Sequence, residues 1–291
     1  MKISNENNTI RISEIENFKL EHIFKCGQAF RWEQTSTGFI NVAKNKVIEL
    51  LEDDKDILIK NTSLQDFNDI WYEYFDLSRN YKKLIEELSI DETLKNALSF
   101  GNGIRILNQE PFETIITFII SANNQIPRIK KSVEIISKMY GKKIENYNAK
   151  DYFSFPTPEE LSKATPTDLR EYAKVGFRDE RIVETSKMIF QKEIDLDKLY
   201  TLEIEKAREE LMKLKGVGPK VCDCILLFAF KRSESFPVDV WIKRVMEELY
   251  FKKVVPKNKI AEEGRKIFGQ NAGFAQQYLF FYGRENKLGR E

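Results

Sequence analysis

Histidine and cysteine are scarce in this 291-residue sequence, which contains only His22 and the cysteines Cys26, Cys222 and Cys224. One histidine cannot build a histidine-rich metal site, and three thiols cannot supply the four ligands of a typical iron–sulfur cluster. Histidine-dependent acid–base chemistry is nearly excluded for the same reason. We therefore expect a reduced, cytoplasmic protein that needs no metal, iron–sulfur cluster or other cofactor.

Long apolar runs are also absent, and the mean hydropathy is −0.46. Because no basic and apolar leader opens the sequence, we expect neither a membrane span nor secretion. Hydrophobic residues make up 42% and charged residues 32%, which excludes a disordered or fibrous chain. No pattern indicates an obligate oligomer, so a monomer is expected.

Proline and charge divide the chain near residue 100. All eight prolines lie between Pro111 and Pro256. Residues 1–100 carry 13 Lys and Arg against 18 Asp and Glu, whereas residues 101–291 carry 34 against 28. We predict a β-rich domain over 1–100 and a helical domain over 101–291, and the second is the better partner for a polyanion.

Apolar periodicity predicts an α+β fold. Short strands are expected at 10–12, 30–32, 39–42, 47–51 and 57–59, forming an antiparallel meander. From about residue 65 the pattern is helical, with a nearly all-apolar helix at 112–121 and another opened by Pro127. Thr157 and Thr165 each precede a proline and are predicted to cap helices.

The most informative segment is 214–220, which reads LKGVGPK. Gly216, Val217 and Gly218 form a tight turn between two helices, and Pro219 suits the first position of the second helix. Free amides at a helix N-terminus bind phosphate well. The pattern predicts a helix-hairpin-helix; the spacing of a Walker-type phosphate loop is absent, and an ordinary αα-turn is the alternative.

Two charged residues near this turn are candidates for catalysis. Lys220 falls in the first turn of the second helix, where the helix dipole disfavours the ammonium form and favours a nucleophilic amine. Cys224 shares its helical face. Asp239 precedes a predicted helix at 240–249, where it caps the helix or stabilises a developing positive charge. A phosphate-contacting lysine and a simple capping aspartate are the alternatives.

These residues resemble the helix-hairpin-helix DNA glycosylases, and four further segments resemble the 8-oxoguanine DNA glycosylases: CGQAFRW at 26–32, YFDL at 74–77, SANNQ at 121–125 and GFAQ at 273–276. The resemblance implies a twisted antiparallel sheet like that of the TATA-box-binding protein. Two helical subdomains with a cleft between them would follow. The implied partner is double-stranded DNA containing 8-oxoguanine, which in a bacterium places the protein at the nucleoid.

The resemblance also implies a bifunctional reaction. Lys220 matches the lysine that attacks the deoxyribose C1′, displaces the base and forms a Schiff base that permits β-elimination. Asp239 matches the aspartate that stabilises the oxocarbenium-like sugar. The residues implied to read the extruded base are Gly27, through its carbonyl, Cys224, Gln276 and Phe280.

Further matches concern the rest of the duplex. Asn123 is implied to fill the space that the base leaves, Arg128 and Arg178 to read the estranged cytosine, and Phe177 to act as a wedge. Backbone amides are implied to hold phosphates at Gly216, Gly218, Lys220 and Val221, and the Val217 carbonyl is a candidate ligand for a hairpin cation. Two positions depart from the pattern: Trp241 replaces a phosphate-contacting histidine, and Phe177 replaces a tyrosine, which predicts looser selection of cytosine.

Other readings make different predictions. The adenine and thymine-glycol glycosylases carry a cysteine cluster that this sequence lacks, and alkylpurine glycosylases generally lack a lysine at position 220. A glycosylase for a different damaged purine remains an alternative. A non-catalytic DNA-binding module would use the hairpin only as a phosphate clamp, and it predicts binding without turnover.

Overall fold

A computed structural model describes residues 1–289 of the chain. Its N-terminal part contains a six-stranded antiparallel sheet, in which β1 pairs with β2 at one edge and β3 pairs with β4 at the other. The strands are β1 (Lys2–Glu6), β2 (Thr9–Ser13), β3 (Glu33–Gln34), β4 (Gly38–Ala43), β5 (Lys46–Asp53) and β6 (Asp56–Lys60), in the spatial order β1-β2-β6-β5-β4-β3.

Helices make up most of the remainder. They are α1 (Leu20–Lys25), α2 (Leu64–Asp66), α3 (Tyr72–Tyr74), α4 (Tyr81–Leu88), α5 (Glu92–Phe100), α6 (Pro111–Ser121), α7 (Ile126–Tyr140), α8 (Pro158–Ser162), α9 (Pro166–Glu171), α10 (Asp179–Phe190), α11 (Ile204–Met212), α12 (Pro219–Ala229), α13 (Val240–Val245), α14 (Lys257–Phe268) and α15 (Ala272–Glu285). Two π-helical stretches, Phe67–Trp71 and Met246–Phe251, continue α2 and α13, and a small hairpin of β7 (Lys143–Tyr147) and β8 (Lys150–Phe153) follows α7. Across residues 1–289, none of the helices has the length and apolarity that a bilayer crossing requires.

The predicted α+β fold is confirmed, but the simple meander is wrong. β3 to β6 do follow one another in the sheet, whereas β2 pairs with β6 at the opposite side. The predicted strand at 30–32 is also wrong. Phe30 packs against Phe118 of the helical core, and Trp32 stacks on Phe24 at 3.8 Å between ring centroids in the sheet core. The apolar alternation at 30–32 therefore comes from a segment whose side chains enter two different hydrophobic cores, and not from a strand.

Several helix starts follow from local sequence as predicted. The Thr157 hydroxyl accepts a hydrogen bond from the Glu160 amide at 3.2 Å, and the Thr157 amide donates to the Glu160 carboxylate at 2.8 Å. Thr165 caps α9 in the same way, and prolines occupy the first turns of α6, α7 and α12. These caps satisfy amides that a helix leaves without partners.

Two hydrophobic cores meet along the chain. One lies under the sheet and includes residues up to Leu77, and the other joins the helices, including α4 and α5, to α15. The division into 1–100 and 101–291 stays a prediction.

The side chain of Gln28 connects the two parts. It is fully buried, and its Nε2 donates to the carbonyls of Ile23 (3.0 Å) and Arg105 (2.7 Å) while its Oε1 accepts from the Leu107 amide (2.8 Å). This amide fixes the segment between α1 and β3 relative to the chain that leads into α6.

Replacing this amide tests its contribution to stability. Gln28→Leu keeps the volume but leaves buried backbone groups unpaired, at a cost of about 1–3 kcal/mol for each group. We expect the free energy of unfolding in urea to fall by about 3 kcal/mol or more. Gln65→Leu, at an exposed position of α2, is the control. Equal stability of the two variants would contradict the assignment.

Candidate active site and nucleic-acid interface

The predicted hairpin lies between α11 and α12. Gly216 has a φ of +87°, and a side chain there would meet Arg181 Cδ at 3.1 Å and Ile119 Cγ2 at 3.3 Å. Gly218 has an ordinary extended backbone, and a Cβ atom there would meet nothing within 4 Å. Gly216 is therefore required by the protein's own packing. Gly218 borders open space beside the first turn of α12, where a phosphate can approach the amides.

Lys220 lies in that first turn and is half-buried. Its Nζ is 5.2 Å from the centroid of the Phe118 ring, a distance typical of a cation–π contact. Within residues 1–289, no carboxylate lies within 4.0 Å of the Lys220 ammonium. The amine is held over an aromatic surface without being tied up in an ion pair.

Cys224 and Asp239 share the electrostatic environment of Lys220. Burial raises the pKa of the Cys224 thiol to about 11, although the nearby Lys220 charge opposes the shift, so the thiol is neutral near pH 7. Asp239 caps α13, accepting from the Ile242 amide at 2.8 Å. Burial raises the pKa of Asp239, while this hydrogen bond and the charges of Lys220 and Lys257 favour the carboxylate. The structure thus brings together Lys220 and Asp239, which were predicted to act at C1′, and Cys224, which was predicted to contact the extruded base.

Gly27 lies against α15, about 250 residues away in sequence. Its φ is +82°, and a Cβ atom would sit 3.1 Å from Phe280 Cε1 and 3.3 Å from Arg284 Nη1. The neighbouring carbonyls of Cys26 and Lys25 accept from Gln277 Nε2 (2.7 Å) and Arg284 Nη2 (2.5 Å). The carbonyl of Gly27 itself receives no hydrogen bond from any residue that the structure describes. It is therefore available to a ligand.

Gln276 is the second polar group at this position. Its side chain is 4% exposed, and its Oε1 is buried without a hydrogen-bond partner among residues 1–289. An unpaired buried amide oxygen costs about 1–3 kcal/mol, so such groups are rare unless they serve a ligand. Half-buried Phe280 lies one turn further along α15 and provides an aromatic face.

A second group of predicted residues lies on the loops before α7 and α10. Asn123 is exposed with a φ of +51°, Arg128 is exposed in the first turn of α7, and the Phe177 ring is 54% exposed. All three are accessible to a macromolecular partner.

Arg178 behaves differently, because it is 6% exposed. Its guanidinium donates to the carbonyls of Ala122, Asn123 (3.1 Å) and Val175 (2.9 Å), and it stacks on Phe177 at 4.2 Å. In the free protein this side chain fixes the Asn123 loop to the wedge segment. Its predicted contact with an estranged cytosine stays a prediction and requires some of these bonds to be exchanged.

Three residues whose side chains position the backbone around Gly27 were not identified from the sequence. Gln28, Gln277 and Arg284 act through backbone carbonyls of 23–26 and 105, and no local pattern identifies such long-range partners. Arg181, which packs on Gly216, was missed for the same reason. Across residues 1–289, no three His, Cys, Asp or Glu side chains are grouped as metal ligands. The cation at the Val217 carbonyl stays a prediction.

Two family models match consecutive segments of the chain, which together span residues 9–270. One, described as 8-oxoguanine DNA glycosylase, N-terminal domain, matches residues 9–115. The other, described as HhH-GPD superfamily base excision DNA repair protein, matches residues 116–270. The chain belongs to the 8-oxoguanine DNA glycosylases of the HhH-GPD superfamily. The first match contains most of the six-stranded sheet together with α1 to α5, and the boundary between the two matches lies within α6.

Individual members of the family agree with this placement. A probable N-glycosylase/DNA lyase of Methanothermobacter thermautotrophicus is 35% identical over 68% of this chain and 69% of that protein. The N-glycosylase/DNA lyase of Saccharomyces cerevisiae is 32% identical over 79% of this chain and 68% of that protein. The 8-oxoguanine glycosylase/lyase of Clostridium acetobutylicum, solved with double-stranded DNA containing cytosine opposite 8-oxoguanine, superimposes with a TM-score of 0.96 at 44% identity, covering 99% of each chain.

The raised pKa of Asp239 predicts a stability effect. A carboxyl whose folded-state pKa lies above the unfolded value destabilises the fold when ionised, and this penalty disappears as the pH falls and the group is protonated. Asp239→Asn preserves the cap, so we expect a higher Tm than wild type at pH 7 and a smaller difference toward pH 4.

Thermal unfolding across this pH range measures the effect. Asp91→Asn is the control, because Asp91 also caps a helix, through the Leu94 amide at 2.8 Å, and corrects for the lost charge–dipole interaction. A lower Tm for Asp239→Asn than for this control at pH 7 would contradict the burial penalty.

Proposed function

We propose that the chain excises 8-oxoguanine from double-stranded DNA and cleaves the resulting abasic strand, as a bifunctional glycosylase and lyase in base excision repair. One observation carries the proposal: Lys220, which forms no ion pair with residues 1–289, lies beside the hairpin and interacts electrostatically with the neutral Cys224 thiol and the buried Asp239 carboxyl group. A non-catalytic DNA clamp has no use for the Lys220, Cys224 and Asp239 arrangement.

DNA binding begins at the hairpin. The open space beside Gly218 admits a phosphate to the first amides of α12, those of Lys220 and Val221 among them. A target base inside a duplex is out of reach, so it must be extruded, at a cost of a few kcal/mol. Phe177 supplies the apolar wedge that unstacks the neighbouring bases, and Asn123 fills the vacated space.

The extruded base enters the space between Gly27 and α15. An oxidised purine carries a proton on N7 that guanine lacks, and the free Gly27 carbonyl is the acceptor for it. Gln276 offers its unpaired amide to the Watson–Crick edge, and Phe280 and Cys224 contact the two faces of the ring. Discrimination against guanine thus rests on one carbonyl that the protein leaves without a partner.

The reaction proceeds by displacement at C1′. After losing its ammonium proton, the Lys220 amine attacks C1′, the bond from C1′ to the base nitrogen breaks with its electron pair leaving on the base, and the base takes up a proton. The bond from C1′ to the ring oxygen then breaks, the amine proton passes to that oxygen, and the Schiff base forms. Loss of a C2′ proton drives β-elimination, which breaks the 3′ carbon–oxygen bond and releases the 3′ phosphate group. The Asp239 carboxylate stabilises the positive charge that develops on the sugar.

Selection of the opposite base falls to Arg128, with Arg178 contributing once its carbonyl partners are exchanged. Phe177 lacks a tyrosine hydroxyl and Trp241 replaces a histidine, so looser selection of cytosine is part of the proposal. We further propose that the protein acts as a monomer in the cytoplasm, at the nucleoid if bacterial, without an iron–sulfur cluster or other cofactor.

Substitution of Lys220 separates binding from chemistry. Lys220→Gln should lose base excision and strand cleavage on an 8-oxoguanine:cytosine duplex by about a thousandfold or more, because the nucleophile is gone. Its dissociation constant should change less than about tenfold, since the hairpin amides remain. Single-turnover cleavage and fluorescence anisotropy measure the two quantities. Lys206→Gln, an exposed lysine of α11, is the control.

Other outcomes identify other functions. Retained turnover in Lys220→Gln would remove Lys220 from the reaction. Wild-type binding without turnover on this duplex would favour the non-catalytic module. Turnover on another damaged purine in its place would favour a different substrate.

Gly27→Ala tests lesion recognition. The added methyl would sit 3.1 Å from Phe280 at a strained φ, displacing both the ring and the carbonyl. We expect excision of 8-oxoguanine to fall by about a hundredfold while binding to a duplex with an abasic-site analogue is kept. Gly269→Ala also places alanine at a positive φ, of +57°, but meets nothing within 4 Å, so it controls for backbone strain. Equal losses in both variants would mean that Gly27 matters only for stability.

A further inference from the structure

Arg181 occupies the space between the wedge and the hairpin. It is an exposed residue of α10, and its guanidinium carbon lies 5.2 Å from the centroid of the Phe177 ring. The stem of the same side chain covers Gly216, where Cδ would be 3.1 Å from a Cβ atom. One arginine therefore contacts both elements that the proposed function places on the DNA.

The helix that carries Arg181 is anchored to the hairpin a turn further on. Thr185 is fully buried, and its hydroxyl donates to the Lys215 carbonyl at 3.0 Å. Wedge, Arg181 and hairpin anchor follow one another along one helical segment, from Phe177 to Thr185. Because Phe177 lies in a short 3₁₀ turn, Gly176–Arg178, that leads directly into α10, one helical segment connects the wedge to the hairpin.

The guanidinium of Arg181 contacts the Phe177 ring but forms no ion pair with residues 1–289. Across residues 1–289, no carboxylate lies within 4.0 Å of its guanidinium, even though Glu180 and Glu184 flank it on α10. The acidic residue at the start of the helix, Asp179, is paired with Arg170 at 2.7 Å. An unpaired guanidinium on the surface beside a phosphate-binding turn is suited to bind a phosphate oxygen.

We propose that Arg181 binds a DNA backbone phosphate beside the extruded nucleotide and supports the inserted Phe177 ring through its stacked guanidinium. This role rests on the proposed function, because it requires duplex DNA at the hairpin. The phosphate contact pulls the backbone toward α10 where the wedge opens the stack. Arg181 thereby couples backbone binding to base extrusion, and it is a binding residue in addition to the hairpin amides.

Salt dependence of binding tests the phosphate contact directly. Each neutralised phosphate adds about 0.9 to the slope of log affinity against log salt, so Arg181→Gln should lower the slope magnitude by about one. Affinity at about 0.1 M salt should fall about five- to tenfold. The probe is a duplex with a tetrahydrofuran abasic-site analogue opposite cytosine, whose binding needs no turnover. Arg181→Lys should restore the slope, and Lys187→Gln, at an exposed unpaired lysine near the end of α10, should leave it unchanged.

The wedge contact has its own measurement. A double-mutant cycle between Arg181→Lys and Phe177→Leu, followed by 2-aminopurine fluorescence next to the analogue, should show non-additive loss of unstacking. An unchanged salt slope in Arg181→Gln, or an equal change in Lys187→Gln, would overturn the phosphate contact. Additive effects in the cycle would overturn the coupling to the wedge. If wild type itself failed to prefer the analogue over an undamaged duplex, the proposed function would fail instead.

Discussion

Lys220 and the buried carboxyl group of Asp239 lie close enough to interact electrostatically, and the proposed site depends on keeping them together. Burial favours the protonated form of Asp239, since it raises the pKa of the carboxyl. The Ile242 amide and the nearby lysine charges oppose that shift. A carboxylate held in this way stabilises positive charge more strongly than one in water, because fewer solvent dipoles compete with it.

The N-terminal part of the chain contributes one backbone segment to the proposed site. The segment 25–28 leaves the sheet region and lies along α15, where Gln277 and Arg284 hold its carbonyls and leave that of Gly27 free. The lesion pocket that we propose lies between two parts of the chain that are joined by buried amides rather than by a continuous element. The proposal therefore links stability to recognition, because hydrogen bonds that join these two parts also position the groups proposed to read the base.

Local features were predictable from the sequence, and long-range ones were not. The caps at Thr157, Thr165 and Asp239 follow from residues within one turn, so the sequence alone predicts them. The prediction of a strand at 30–32 was wrong because alternation indicates only that successive side chains point in opposite directions. It does not indicate which core each side chain enters. The hairpin of β7 and β8 was missed, since most of its residues are half-buried and its strands lack strong alternation. The burial of Arg178 depends on carbonyls about 55 residues away, which no spacing rule contains.

The most direct test of the central claim is borohydride trapping of the wild-type protein on an 8-oxoguanine:cytosine duplex, followed by mass spectrometry of the digested adduct. Reduction of a Schiff base leaves a stable bond between the sugar and the amine that attacked it. The account predicts a covalent complex on the damaged duplex only, with the added mass on the peptide that contains Lys220. Attachment at another amine, or excision without any adduct, would contradict it.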